Sequence, residues 1–447
     1  MHGRHSPGES ENGSAGVGLG GLGSGPSSGR EGVGAAGTLD DVLTYAHLGI
    51  VISASEFKSA SLRWWHSAWT LARELKLNRE VPVESMVDQM GDDDMDGHHS
   101  PSDTGPSSVH SHPNVNTGRM PISEEEREER RRTWWLLYIV DRHLSLCYNR
   151  PLALLDVECE NLYLPIDEVS WQNGEYYGVH ESHDPHNLYA QHPSSPSRNG
   201  LPHRRIGPSN FEVTGTGMFE FFLPLMTILG QVVDLHHARN RPKFGAVRQT
   251  GAEGTGTFGG GYEELVQQIT EQLDTYSRSL QDFEATNTSS GLKGEGQEGD
   301  EGKSDSKQLS EADIQLKIVV SYGTHVMHVL HILLSGKWDP ISMLDDDDLW
   351  ISSQSFINST AHAVSAAEAI SNILKYDPDL SFIPYFFGIY LLQGSFLLLL
   401  IADKLQGEAS DAVVTACETI VRAHEVCVVT LNTEYQVPIP MRYYPWI

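Results

Sequence analysis

The strongest pattern of polar and apolar positions lies between residues 123 and 164. Ser123, with Glu126 three residues later, predicts a capping box, and an acidic first turn suits the positive end of a helix dipole. From Arg130 onward the polarity falls abruptly, which predicts a largely buried helix. The apolar positions that fall near helical spacing are Trp134, Leu137, Tyr138, Leu144 and Cys147.

This helix is predicted to end at Asn149-Arg150-Pro151, because the residue before a proline is pushed away from helical dihedral angles. Trp134 and Trp135 are adjacent and cannot point the same way on a helix. The helix is therefore expected to pack against two neighbours.

Helical periodicity recurs along the chain, and no run shows the alternation of a convincing set of strands. The predicted fold class is therefore all-α, a large multi-helix domain with long disordered inserts. The predicted divisions are a disordered Gly/Ser-rich tail at 1–37, a helical block at 38–87, a disordered insert at 88–121, the central helix and Asn-Arg-Pro segment at 122–177, a disordered loop at 178–214, a helical stretch at 215–285, an acidic linker at 286–308, a C-terminal helical block at 309–436 and an atypical tail at 437–447.

One apolar run carries no charged residue between Asp379 and Asp403, a length that would suit a transmembrane helix. Pro384, Gln393 and acidic residues at both ends argue against a membrane span, as does the lack of a positive flank. A helix that is apolar all round is also what the centre of a large helical domain requires. The run is interpreted as a core helix.

Composition narrows the function. The net charge is -29, from 60 acidic and 31 basic residues, so the chain should repel phosphate backbones and not bind nucleic acid directly. Four cysteines in 447 residues indicate a reducing compartment without a disulfide framework. No secretory signal or membrane partner is predicted.

The candidate chemical groups give no catalytic, cofactor-binding or metal site. His325, His328 and His331 are spaced three apart on a predicted helix, but the segment is otherwise apolar and no carboxylate joins them. They are interpreted as a buried or half-buried histidine row. No Ser-His-Asp set, P-loop or metalloprotease motif occurs, so the chain is predicted not to be an enzyme.

The charged residues of the central helix leave two interpretations open. Asp141 and Arg142 must be paired or exposed, so they form either an ion pair that fixes packing around the turn or part of an effector-responsive pocket. Arg130, Arg131 and Arg132 are interpreted as a solvated helix face offset by acidic neighbours, with nuclear import as the alternative.

Three motifs in order, Arg131-Arg132-Thr133-Trp134-Trp135, Asp141-Arg142 and Asn149-Arg150-Pro151, resemble the signature of the fungal-specific transcription factor domain. Long blocks such as TWWLLYIVDRHLSLCYNRPL and YGTHVMHVLHILLSGKWDP are similar to xylanolytic activators within that family. The regulatory or structural candidates are Arg131, Arg132, Trp134, Trp135, Asp141, Arg142, Asn149, Arg150 and Pro151.

The resemblance implies a nuclear regulator that activates xylanase, cellulase and pentose-catabolism genes in response to D-xylose. It implies co-regulator proteins or the transcription machinery as partners, together with a sugar inducer. In that family promoter DNA is contacted through a cluster in which six closely spaced cysteines hold two zinc ions. This chain itself is expected to hold no cofactor.

Two departures from the family pattern qualify that expectation. The first cysteine is Cys147, so the six-cysteine cluster is absent, and after Tyr435-Gln436 the chain reads VPIPMRYYPWI, where relatives continue with a basic helical tail. Both departures suggest a truncated gene model or a fragment. The alternative is a stand-alone helical interaction protein or co-regulator without DNA binding, and the presence or absence of a zinc-cluster exon separates the two.

Overall fold

Helices form nearly all of the regular structure in the computed structural model. It describes residues 37–53, 58–81, 122–176, 205–240, 260–291, 309–335, 337–338, 349–381, 384, 387–405 and 410–431. In this part of the chain the helices are α1 Leu39–Ser53, α2 Lys58–Glu74, α3 Glu124–Tyr148, α4 Glu168–Gln172, α5 Leu223–Asn240, α6 Gly260–Gly291, α7 Glu311–Leu334, α8 Gln354–Tyr376, α9 Phe387–Leu405 and α10 Asp411–Leu431.

The predicted all-α class is confirmed. Among the described residues no β-strand occurs, and the only β-type pairing is an isolated antiparallel bridge between Tyr163 and Ile206. A short 3-10 turn at Asp156–Glu158 follows the Asn-Arg-Pro motif, and a π-helical turn at Met218–Phe222 leads into α5. Both turns carry side chains of the site described below.

The ends of α3 are set by its own sequence. The Ser123 hydroxyl accepts a hydrogen bond from the Glu126 N–H at 3.1 Å, which is one half of the predicted capping box. At the other end Asn149 adopts a left-handed conformation with φ 46°, and the Arg150 N–H donates to the Ser145 carbonyl at 3.1 Å. The predicted boundaries of this helix are confirmed.

The core joins α5, α7 and α9 through aromatic rings. Phe222, at the end of the π-helical turn, stacks on Tyr322 of α7 with ring centres 5.6 Å apart. Phe387 and Tyr390 of α9 complete the cluster, at 5.4 Å from Tyr322 and 6.2 Å from Phe222 respectively. Around this centre α3 packs on α5, α6 on α7, and α8 on α7.

Several predicted divisions differ from the observed elements. Residues 205–214, assigned to a disordered loop, are held to the segment after α3, since the Leu164 N–H donates to the Arg205 carbonyl at 2.9 Å and the Gly207 N–H to the Leu162 carbonyl at 2.8 Å. Helix α6 continues to Gly291, into the predicted linker, because Thr286 and its neighbours bond to carbonyls four residues back. The disorder predicted for 88–121 and 437–447, and for nearly all of 1–37, concerns residues outside those that the structure describes.

Two helical stretches, Met218–Asn240 and Glu311–Leu334, are long and apolar enough to cross a membrane. In their most apolar windows 72% and 67% of the residues are buried inside the protein, which is the pattern of core helices. Helix α9 begins at Phe387, just after Pro384, whose carbonyl accepts the Phe387 N–H at 2.9 Å.

Candidate regulatory site around the Asn-Arg-Pro turn

The Asp141 side chain of α3 binds the segment that follows the Asn-Arg-Pro turn. Its carboxylate is fully buried and accepts the backbone N–H groups of Ala153 and Leu154, each at 2.9 Å. The Arg150 guanidinium completes the set, with Nη2 2.7 Å from Asp141 Oδ1. A carboxylate with these three donors is satisfied in the interior, so Asp141 acts as a fixed anchor for the turn.

Arg142 is also fully buried but points to a different partner. Its Nη2 lies 2.6 Å from Asp156 Oδ1, whereas its Nη1 is 3.5 Å from Asp141 Oδ2. The guanidinium lies over the Tyr138 ring at 3.2 Å, and the Tyr138 hydroxyl donates to the same Asp156 oxygen at 2.7 Å. Burial acts to lower the pKa of Arg142, but the groups around it outweigh burial and raise that pKa, so the guanidinium stays charged.

The predicted Asp141–Arg142 ion pair is therefore a loose contact, and the principal pairs are Asp141–Arg150 and Arg142–Asp156. Adjacent residues on a helix diverge by about 100°, so their side chains do not face each other. Gly230 of α5 lies against the same guanidinium, since a Cβ there would sit 3.3 Å from Arg142 Nε. The side chain is closely packed, and the hypothesis of an effector-responsive pocket at this pair stays a prediction.

Residues in α2 and just after it bind the loop that follows the Asn-Arg-Pro turn. Arg73 forms two bonds to the Glu158 carboxylate, at 2.6 and 2.8 Å, and a third to the Ala153 carbonyl. Asn78 donates to the Glu158 carbonyl at 2.8 Å. The hydrogen bond from Arg73 is the main cause of a lowered pKa at Glu158. Sequence reasoning missed Arg73 and Glu158 because 85 residues separate them.

The three arginines that begin the apolar part of α3 are not a solvated face, so that interpretation is wrong. Arg131 is 4% exposed and bonds to Glu80 at 2.6 and 2.8 Å and to Glu128 at 3.2 Å. Arg130 donates to a backbone carbonyl at the end of α2 at 2.7 Å. Arg131 has acidic neighbours, as expected. One of them, Glu80, lies 51 residues away in sequence, and its bonds compensate the charge of the buried Arg131.

Arg132 makes the corresponding contacts on the other side of α3. Its guanidinium bonds to Glu168 Oε2 at 2.9 Å and to the Ile166 carbonyl at 3.0 Å. It also lies over the Trp171 ring at 4.5 Å. Arg131 and Arg132 together fix α3 to segments that precede and follow it in the chain.

Trp134 and Trp135 are both fully buried, and the prediction that α3 packs on two sides is confirmed. The Trp135 indole N–H donates to the Tyr163 carbonyl at 2.8 Å, while Trp134 lies beside the Cys159 thiol. Burial raises the pKa of that thiol to about 12. The turn residues pack alongside, with the Arg150 guanidinium 4.9 Å from the Trp69 ring centre.

The histidine row of α7 is buried or half-buried, as predicted, but it has a fourth member. His325 is fully buried, and the other two meet His362 of α8, whose Nδ1 is 3.0 Å from His328 Nδ1 and whose ring stacks on His331 at 4.2 Å. Burial lowers the pKa of His328 to about 4 and that of His331 to about 3. No group of three or more His, Cys, Asp or Glu side chains in the described part of the chain is arranged to hold a metal.

A six-cysteine zinc cluster does not fit this chain, which has four cysteines in all. Cys147 is exposed and Cys159 buried on opposite sides of the Asn-Arg-Pro turn, and Cys417 and Cys427 lie on α10. No disulfide joins these four cysteines, all of which lie in the described residues, and burial raises the pKa of Cys159, Cys417 and Cys427. Groups that hold a proton this firmly are poor thiolate ligands.

The amino-acid sequence of this chain is similar to those of known proteins. Residues 58–281 match the family described as the fungal specific transcription factor domain. The chain is 50% identical over 439 residues to the xylanolytic transcriptional activator xlnR of Aspergillus niger, which covers 94% of this chain and 43% of that protein. The proteins of the same name from Aspergillus oryzae and Neosartorya fischeri are each 51% identical over 439 residues, again covering 94% of this chain and 42% and 43% of their own lengths.

The chain thus spans less than half the length of these curated relatives. No solved structure matches it.

Proposed function

The chain belongs to the family of the fungal specific transcription factor domain, and from that membership we propose that it is the regulatory region of a transcriptional activator of xylanolytic and cellulolytic enzyme genes and of D-xylose catabolic genes, responding to xylose. The observation that carries the proposal is identity of 50–51% across 94% of the chain to proteins named xylanolytic transcriptional activators. Such an activator acts in the nucleus.

The described geometry supports a regulatory role through packing. Helix α3 holds three separate segments through its arginines: Arg131 pairs with Glu80 after α2, Arg142 with Asp156 after the turn, and Arg132 with Glu168 on α4. Because the three segments contact one helix, a displacement of α3 changes the contacts of all three. We infer that an inducer or a co-regulator acts by favouring one arrangement of this assembly over another.

DNA contact and zinc lie outside the chemistry of this chain. Promoter DNA would be reached through the zinc cluster of the family, which four cysteines cannot build, and a net charge of -29 opposes direct contact with phosphates. The partners of this region are therefore co-regulator proteins or the transcription machinery. The role is regulatory and not enzymatic, which agrees with relatives that are transcription factors.

The test is to fuse the chain to an unrelated DNA-binding domain in a filamentous fungus and to measure a reporter with and without D-xylose. We expect xylose to raise the output of the fusion. Asp156→Asn should change that response, because it removes the charge that pairs with Arg142. Asp40→Asn, at an exposed position of α1, is the matched control.

A fusion whose output ignores xylose, in a host whose own xylose-induced genes respond, would reject the inducer part of the proposal. If Asp156→Asn and Asp40→Asn behave alike at equal protein levels, the site has no regulatory role.

The second candidate is a co-regulator that works without DNA contact, favoured by the net charge of -29, which opposes contact with phosphates. Mapping the 5′ end of the native transcript separates the two. An in-frame upstream exon with six closely spaced cysteines supports the activator. A transcript that begins at Met1 supports action through partners.

A further inference from the structure

Two histidines of neighbouring helices face each other through their Nδ1 atoms. These atoms of His328 on α7 and His362 on α8 are 3.0 Å apart, so one of them carries a proton and donates it to the other. Both side chains are half-buried, so solvent and ions reach them. Two imidazole nitrogen atoms that meet in this way from separate helices are a pair of potential metal ligands.

A third histidine, His331, fixes the orientation of His362. Their rings are stacked, with an angle of 6° between the planes and 4.2 Å between the centres. Rotation of the His362 ring would break this stacking, so His331 keeps the His362 Nδ1 directed at His328. His331 is therefore a positioning residue, and the site has two protein ligands whose remaining coordination positions are left to water.

The charge state of the pair suits a metal ion, because an imidazole has to be neutral to bind one. Burial lowers the pKa of His328 to about 4, and the neighbouring His362 lowers it further. Burial also lowers the pKa of His362, although the Asp274 carboxylate of α6 acts in the opposite direction. The same carboxylate favours a cation bound nearby. Both imidazoles are therefore available as ligands at neutral pH.

The distance between the two nitrogen atoms selects the kind of metal. Two ligands at right angles, with bonds of about 2.05 Å, lie about 2.9 Å apart, whereas two ligands of a tetrahedral ion lie about 3.3 Å apart. The observed 3.0 Å is closer to the right-angled pair. Square-planar and tetragonal sites with nitrogen and oxygen ligands are typical of copper(II) and nickel(II), and copper(II) binds the more tightly of the two.

We propose that His328 and His362 form a binding site for a copper(II) or nickel(II) ion, held by their two Nδ1 atoms and by water. On binding, the proton between the rings moves to Nε2, and both rings turn so that their Nδ1 lone pairs meet at the ion. The ion then joins α7 to α8 and stabilises the folded chain, because it binds the folded state in preference to the unfolded one. The inference does not rest on the genes that the protein regulates.

Thermal melting of the full 447-residue chain, free of affinity tags and stripped of metal, tests the proposal. Copper(II) and nickel(II) should each raise the Tm, whereas magnesium, which prefers oxygen ligands, should not. His328→Gln and His362→Gln should each raise the ion concentration needed for the same shift at least about tenfold. His47→Gln, at an exposed position of α1, is the matched control and should respond like the wild type.

Repeating the melts at pH 5.5 separates this site from the other histidines of the chain. An ordinary imidazole, with a pKa of about 6.5, is mostly protonated at that pH and releases its metal. The pKa of His328 is about 4, so the proposed pair should still bind. A shift that disappears at pH 5.5 would assign the ion to ordinary surface histidines and would overturn the proposal.

Electron paramagnetic resonance of the wild type, with less than one equivalent of copper(II) at pH 5.5, needs no variant and so guards against misfolding. The spectrum should show coupling to two imidazole nitrogen atoms, and His362→Gln should show one. Circular dichroism must give the same helix content in every variant. No shift of Tm with either ion, a shift unaffected by both glutamine substitutions, or a wild-type copper spectrum without two coupled nitrogen atoms would each overturn the proposal.

Discussion

The protein buries ionisable side chains in two different ways, around α3 and between α7 and α8. Around α3 the buried arginines keep their charges, and Arg131 and Arg142 are each paired with a carboxylate from another segment. Between α7 and α8 the buried groups are histidines, and burial lowers the pKa of His328 and His331 so that they are neutral near pH 7. The buried arginines of α3 have carboxylate partners, whereas the buried histidines of α7 are neutral and need no partner of opposite charge.

The two regions should therefore lose stability in response to different changes. Removing one partner from a charged pair leaves the other charge buried and uncompensated, which is costly. Removing a neutral histidine leaves only a lost contact, but adding a proton to it creates an unpaired charge. The α3 region should respond most to mutation, and the histidine cluster should respond most to acid.

The largest effect is expected from Arg142→Ala. The substitution deletes a fully buried side chain, which leaves a cavity beside Tyr138 and Gly230 and takes the cation from Asp156, and truncation of a large buried side chain costs about 2–5 kcal/mol of unfolding free energy. Urea denaturation followed by circular dichroism measures it. Arg63→Ala, at an exposed position of α2, is the control and should change the unfolding free energy by less than about 0.5 kcal/mol. Equal losses in the two variants would contradict the assignment.

The next effect concerns Arg131 and Glu80, which lie 51 residues apart in sequence. We expect a double-mutant cycle with Arg131→Ala and Glu80→Ala to give a coupling energy of about 1–3 kcal/mol, since the two bonds between them are short and largely buried. A coupling near zero would show that the pair is held by its surroundings and does not itself hold α3 to α2.

The buried histidines His328 and His331 should make the unfolding free energy depend on pH. The folded-state pKa is about 4 for His328 and about 3 for His331, below the ordinary value of 6.5, so the unfolded chain binds more protons between roughly pH 4 and 6.5. The stability that these two histidines contribute is therefore present above pH 6.5 and is lost as the pH falls through that window. Urea titrations at pH 7 and pH 5 measure the difference.

His331→Gln removes the strongest of these shifts and should flatten the pH dependence of the unfolding free energy. His47→Gln, at an exposed position of α1, should leave the slope unchanged. An unchanged slope in His331→Gln would mean that carboxylates and not the histidine cluster govern the acid response.

The smallest effect is expected at the end of α3. Asn149 holds a left-handed conformation with φ 46°, which asparagine tolerates better than alanine and which glycine adopts freely. Asn149→Ala should cost about 1 kcal/mol of unfolding free energy, while Asn149→Gly should lie within about 0.5 kcal/mol of the wild type. Thermal melting of the two variants distinguishes the backbone effect from loss of the side chain.

What could be predicted from the sequence depended on local signals. The start and end of α3 follow from Ser123, the acidic turn and the residue before Pro151, because helix caps involve neighbours within a few positions. The partners of its arginines did not follow, because Glu80 lies 51 residues before Arg131, and Arg73 reaches Glu158 across 85. A charge run on one helix does not reveal which distant carboxylates meet it.

The same limit applies to the histidines and to α9. His362 lies 34 residues after His328 and joins the row only because α7 and α8 pack together. The charge-free run of α9 predicts a core helix, and the structure confirms this for one face. The exposed positions Leu392 and Leu399 could not be predicted, since apolar residues on the buried and the exposed face are alike in sequence.

The Glu80–Arg131 pair also bears on how this domain can evolve. Replacing Glu80 alone by a neutral residue leaves the buried Arg131 with Glu128 as its remaining carboxylate partner, and replacing Arg131 alone leaves Glu80 without its cation, so either single change weakens the contact between α3 and the segment after α2. The two positions should therefore covary among relatives, although 51 residues separate them in sequence. Positions 142 and 156 should behave alike, which would make the interior of α3 a record of paired substitutions.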